Sequence, residues 1–109
     1  MKPEEVKIGT VGTLGVGSDT YAMVVVGKPS PKRILVSHMR DDDYRNYKLG
    51  RIDGQIMAES GRYGEDAGYY APSVFSLRKN GGWYLKGTSS KYTGAFWPGE
   101  AENYRDPNF

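Results

Sequence analysis

Thr20-Tyr21-Ala22-Met23-Val24-Val25-Val26-Gly27 is the stretch on which the fold turns. Its β-branched and aromatic side chains favour extended backbone, and they fall on both parities. Tyr21, Met23 and Val25 share one face, and Ala22, Val24 and Val26 share the other. A strand that is apolar on both faces has to be covered on both, so this one is expected to lie centrally in a sheet. Lys28-Pro29-Ser30-Pro31 follows, and because proline lacks the N–H that a ladder uses, these residues read as a turn outside the strand. From Lys32 to Met39, Ile34, Val36 and His38 then alternate with Leu35, Ser37 and Met39, which predicts a second strand antiparallel to the first.

Farther along, Val74 to Lys79 and Trp83 to Lys86 flank Asn80-Gly81-Gly82. Asn-Gly between two alternating runs is a strong hairpin signal, since both residues tolerate positive φ. Phe75, Leu77, Trp83 and Leu85 would face the core, with Arg78, Lys79 and Lys86 at the rim. A last strand is expected through Tyr92 to Trp97, stopped by Pro98-Gly99. At the other end, glycines 9, 12, 15 and 17 interrupt a Val/Ile/Thr/Leu background, which suggests a short first strand and bends.

Arg40 to Ala71 differs from the rest. It is polar, has glycines at 50, 54, 61, 64 and 68, and offers only Leu49, Ile52, Ile56 and Met57 as aliphatics. A loop-rich insertion is predicted over 41–70; the one place where a helical turn fits is around Gly54 to Ser60, although the glycines oppose it. Residues 41–70 hold seven acids and four bases, whereas the remainder holds six acids and eleven bases, so a mildly basic body carries an acidic insertion. This is weaker than the clustered Lys/Arg stripe of a dedicated duplex binder.

The 109 residues allow one domain, and the 21 Gly and Pro oppose long helices. Leu, Ile, Val and Phe total only 20, so Tyr and Trp have to substitute for aliphatic bulk; with a net charge of +2 and 13% aromatics the chain is still expected to fold. The absence of cysteine excludes a disulfide framework and thiolate metal sites, and fits a reducing compartment. The longest apolar run, Ala22 to Gly27, is far below the ~20 residues of a membrane span. Met1-Lys2-Pro3-Glu4-Glu5 offers no apolar signal region, so a soluble protein is expected.

Five blocks of sequence carry a family likeness: Val11-Gly12; Ser18-Asp19-Thr20-Tyr21-Ala22 leading into Val24-Val25-Val26; Lys32-Arg33-Ile34-Leu35-Val36; Val74-Phe75-Ser76-Leu77-Arg78-Lys79-Asn80-Gly81-Gly82-Trp83; and Tyr104-Arg105-Asp106-Pro107-Asn108-Phe109. Together they resemble a family of small uncharacterised bacteriophage and prophage proteins of similar length. The Leu-Arg-Lys-Asn-Gly-x-Trp block and the Asp-Pro-x-Phe terminus are the most specific, and 41–70 lies outside the resemblance. It implies phage origin and action in the host bacterial cytoplasm. The family has no established catalytic motif, so no functional residue is carried over from it.

The residues themselves argue for capture more than for chemistry. Gly17 is followed by Ser18-Asp19-Thr20 and a strand, which fits neither a P-loop nor a dinucleotide turn. Asp41-Asp42-Asp43 lacks the alternate spacing and the sixth-position glycine of a calcium loop, so no metal site and no cofactor is predicted. His38 has no nucleophile or metal-ligand spacing beside it and reads as a partly buried structural histidine; no catalytic residue is predicted. Aromatics and arginines are more informative, because Tyr, Trp and Arg give a large contact area for few frozen torsions. The candidate partner- or ligand-binding residues are Tyr44, Arg45, Tyr47, Arg51, Arg62, Tyr63, Tyr69, Tyr70 and Arg78.

The expectation is therefore an all-β domain over 1–109, a small SH3-like or open antiparallel barrel of five or six strands with a long polar insertion. The expected function is that of a non-enzymatic bacteriophage accessory protein, an anti-defence inhibitor that binds a host defence protein or sequesters its nucleotide signal. A nucleic-acid-binding barrel using Arg78, Lys79, Lys86 and Lys91 is the alternative, as is a minor virion or assembly component. Composition leaves homo-oligomerisation open.

Overall fold

The computed structural model describes residues 1–16, 19–39, 47–59, 69–85 and 93–101. After a short 3-10 turn at Pro3–Glu5, eight strands follow in order. They are β1 (Val11–Val16), β2 (Asp19–Ser30), β3 (Arg33–His38), β4 (Leu49–Ile52), β5 (Gln55–Ala58), β6 (Ser73–Leu77), β7 (Trp83–Leu85) and β8 (Thr93–Pro98). Among the described residues there is no α-helix, and no helix is long and apolar enough to cross a membrane.

Six strands close a barrel in the order β1-β2-β3-β6-β7-β8, and every neighbouring pair is antiparallel. β8 closes the ring on β1 through Gly12 with Pro98, Thr13 with Trp97 and Leu14 with Phe96. The expected small antiparallel barrel is thus present, and it is closed, so neither terminal strand leaves a row of unpaired backbone groups. β4 and β5 form a separate two-stranded sheet within the connection from β3 to β6.

β2 explains how these parts fit together. Met23 and Val25 point into the barrel, where Val6, Leu14, Ile34, Val36, Phe75, Trp83 and Phe96 join them and Tyr21, Leu77 and Leu85 pack at the margin. The rings of Phe75 and Phe96 meet with centroids 5.9 Å apart, so aromatics fill the interior of an aliphatic-poor chain. Val6 reaches this core from ahead of β1. The Lys28 ammonium donates to the carbonyls of Pro3 and Val6, at 3.0 and 2.8 Å, and pins that segment across the barrel.

The other face of β2 is buried just as fully. Ala22, Val24 and Val26 pack on the outside of the barrel with Met39 and Ala58, flanked by Val11, Leu35, Tyr47, Ile56 and Ala101. The β4–β5 hairpin supplies Ile56 and Ala58 to this second core, and the Gln55 amide ties it down by donating to the Val26 carbonyl at 3.1 Å. Burying each valine stabilises the fold by about 1.5–3 kcal/mol, which is why a polar insertion folds back on the sheet.

Three readings of the sequence change. Within the piece around Gly54 to Ser60, Gln55–Ala58 is strand and not helix, entered through a turn at Asp53 (φ 51°) and Gly54 (φ 83°); two successive positive φ values make the primed turn whose twist matches a hairpin. Lys28 to Ser30 belongs to β2 rather than to a turn. The ladder there is irregular, with register shifts between Val25 and Gly27 and between Gly27 and Ser30, so Pro29 occupies a stretch where no regular donor is required. In the Arg78–Gly82 loop Asn80 keeps a negative φ, and only Gly81 (φ 85°) is left-handed. The Gly81 N–H donates to the Arg78 carbonyl and the Arg78 N–H to the Gly82 carbonyl, each at 2.9 Å, giving an ordinary turn followed by a glycine bulge.

The two-sided burial of β2 has a direct test. Val24→Thr and Val25→Thr keep the side-chain shape but put a hydroxyl in the outer and the inner core respectively. Each is expected to lower unfolding free energy in urea by about 1–3 kcal/mol. A strand with one solvated face would show the loss at only one of the two positions.

Candidate functional site

Along β8 the side chains alternate, and the result is an aromatic residue on each side of the wall. Phe96 points inward and is buried, whereas Trp97 points outward and is 53% exposed. Glycines on β1 make both placements feasible. A Cβ at Gly12 would come within 2.5 Å of the Phe96 ring, and a Cβ at Gly15 within 2.5 to 2.6 Å of Cζ3 and Cη2 of Trp97. The Cζ3–Cη2 edge of the indole therefore abuts bare backbone at Gly15. Glycines 12 and 15, expected as bends, are sites of close approach, while the positive φ of Gly9 (94°) does serve a turn.

Thr13, Thr20, Pro98, Gly99 and Glu100 frame the indole. The Thr13 hydroxyl donates to the Glu100 carbonyl and holds the chain after β8 against β1. Thr20 Oγ1 is buried and finds no hydrogen-bond partner among the described residues. Leaving such a group unsatisfied costs about 1–3 kcal/mol, and here it is enclosed beneath the shelf and not displayed on it. The shelf thus displays a large aromatic side chain framed by Thr13, Pro98 and Gly99, and tryptophan is among the residues that dominate interaction hot spots.

The residues expected to bind from sequence are distributed differently. Tyr44, Arg45, Arg62 and Tyr63, like Asp41-Asp42-Asp43, Lys86 and Lys91, lie outside the described residues. Tyr47 is half-buried in the outer core, and its hydroxyl donates to the Gly9 carbonyl at 3.1 Å, so it fastens the insertion to the barrel. Arg51 is exposed on β4 opposite Ile56. Tyr69 lies over Gly50, where a Cβ would come within 2.5 Å of the tyrosine hydroxyl. Tyr70 packs beside His38 at 5.9 Å, and His38 in turn meets Tyr21 edge-on at 5.7 Å.

His38 is exposed where partial burial was expected, because it is the last residue of β3 and leaves the wall at the barrel rim. Arg78 stands apart from Tyr69 and Tyr70. They precede β6 and it follows β6, a five-residue strand of about 17 Å, which puts them at opposite ends of the barrel. Sequence reading passed over the Trp97 shelf; the signal was there in Gly15 and Trp97, but only the β1–β8 register brings them together. Among the described residues no trio of His, Asp and Glu side chains converges as a metal-ligand set.

The two tryptophans offer a check on this geometry, since Trp83 is 2% exposed and Trp97 is 53% exposed. Iodide quenching should resolve one accessible and one protected emitter, and W97F should leave only the protected one. G15A should move the indole off the wall without removing it and shift its emission; unchanged spectra for G15A would show that the ring does not rest there. No family model, no curated protein and no solved structure matches this chain.

Proposed function

We propose that this chain is a non-enzymatic bacteriophage accessory protein of the anti-defence kind, which inhibits a host defence protein by seating it against the Trp97 shelf. The observation that carries the reading is the half-exposed indole whose edge abuts Gly15 and whose surroundings are Thr13, Pro98 and Gly99. A rigid ring loses little torsional freedom when a partner covers it, so most of the apolar area that it buries appears as affinity. The shelf sits on antiparallel wall strands rather than on a loop, so the partner meets a surface that is already formed. Phage origin and cytoplasmic action come from the family resemblance of the Leu77-to-Trp83 block and the C-terminal Asp106-Pro107-Asn108-Phe109.

Inhibition of this type requires occupation and no turnover. The test uses a panel of bacterial strains, each carrying one defence system, expressing the chain during phage challenge. Restored plaquing on one of these strains is expected, and W97A should abolish it by weakening the complex roughly 30-fold, about 2 kcal/mol, with the folded barrel intact. Unchanged plaquing across the panel overturns the proposal. Full restoration by W97A would remove the shelf from it.

A further inference from the structure

The wall on the far side of the barrel carries a second kind of surface. Residues 28–39 and 69–85 together contain Lys28, Lys32, Arg33, Arg78 and Lys79 and not one Asp or Glu. The fold brings these two segments side by side, since β3 pairs with β6 and the Leu77 N–H donates to the Lys32 carbonyl at 2.8 Å. That bond stitches the Pro31-Lys32 turn to the Arg78-Lys79-Asn80 loop, so two hairpin tips share one end of the barrel. Lys32, Arg33, Arg78 and Lys79 are all exposed. Lys28 is turned toward the Pro3 and Val6 carbonyls and adds its charge from behind. Glu4 lines the groove on the Lys28 side.

A ring sits among these cations. Arg33, Ser76 and Tyr84 face one another across β3, β6 and β7, with neighbouring Cβ atoms about 5 Å apart. The Arg78 guanidinium lies over the Tyr84 ring at 5.9 Å, and the Asn80 amide donates to the Tyr84 hydroxyl at 3.0 Å. Asn80 is itself held, its Oδ1 accepting from the Gly82 N–H at 2.9 Å. The tyrosine is therefore locked by its own hairpin loop, and it lines a groove with Leu77, Arg78, Lys79 and Asn80.

We propose that this edge binds single-stranded nucleic acid, with Lys32, Arg33 and Lys79 along the phosphates and a base stacked on the Arg78–Tyr84 pair. Guanidinium planes and aromatic rings offer stacking surfaces to any base, while cations follow the backbone without reading sequence. An acidic protein would satisfy the charges but would leave the stacked pair without a purpose. The patch covers two hairpin tips and the ends of three strands, which is short for a duplex contact. This inference is independent of the Trp97 shelf, and its test leaves that residue untouched.

The experiment is fluorescence anisotropy with labelled oligo-dT and oligo-rU of about 15 nucleotides, run at several salt concentrations. Binding at low salt is expected at ~10 µM, about the middle of the non-specific range, with log K falling against log salt at a slope of roughly −2 to −3 for four cations. R33Q/K79Q should reduce that slope by about 1 to 1.5 and weaken low-salt binding about tenfold, while K48Q on the insertion should match wild type. Circular dichroism and melting temperature confirm that each variant is folded. No anisotropy change at low salt overturns the proposal, as does a slope that R33Q/K79Q leaves unaltered. Equal competition by polyglutamate would replace the ligand with an acidic protein surface. Equal competition by ATP would replace it with a free nucleotide, and either outcome overturns binding of a chain.

Discussion

β2 has no polar face, and the rest of the molecule is arranged around that constraint. Its inner face, Met23 and Val25, calls for a closed interior; its outer face, Ala22, Val24 and Val26, calls for a cover that six barrel strands cannot supply. The connection from β3 to β6 provides it, returning over the wall as the β4–β5 hairpin and laying Ile56 and Ala58 on the valines. A barrel wall is normally solvated on its outside and tolerates polar residues there. Here one wall is a second core, and the polar third of the chain is partly structural for that reason.

The second constraint is the scarcity of aliphatic side chains, which aromatics answer at a steric cost that glycine relieves. Gly12 and Gly15 on β1 admit Phe96 on the inside and Trp97 on the outside, at successive positions of β8, and Gly50 admits Tyr69 by the same means. Each pairing replaces a side-chain contact with ring against backbone. The arrangement is rigid, because a ring that fills a glycine's missing volume has no second position of equal packing. One device therefore serves folding at Phe96 and presents a surface at Trp97, and only the direction of the side chain separates the two roles.

What the sequence disclosed and what it hid follow the range of the interactions involved. The apolar parities of Thr20 to Gly27 and the Asn80-Gly81-Gly82 interruption are local signals, and they led to β2 and to the β6–β7 hairpin. Asp53-Gly54 is a local signal of the same kind, yet it lies in a polar, glycine-rich stretch that reads as a loop with room for one helical turn around Gly54 to Ser60. Tyr47 looked like a binding residue because composition cannot distinguish a displayed ring from one whose hydroxyl reaches Gly9. The separation of Arg78 from Tyr69 and Tyr70 was out of reach as well. It depends on β6 running the length of the barrel between them.

Closure also decides how the surfaces relate to one another. In the ring β1-β2-β3-β6-β7-β8, β1 and β6 stand three places apart in a circle of six, as do β8 and β3. The indole shelf on β1 and β8 therefore faces away from the row begun by Arg33 and Ser76, and the hairpin over β2 fills the sector between them on one side. The two proposed surfaces therefore do not overlap. Charge on the far wall is also poorly placed to steer a ligand toward Trp97, since exposed charges beyond ~8–10 Å are largely screened at physiological salt. The proposed shelf and the proposed basic edge thus occupy separate sectors of the ring, with β2 and its cover between them on one side.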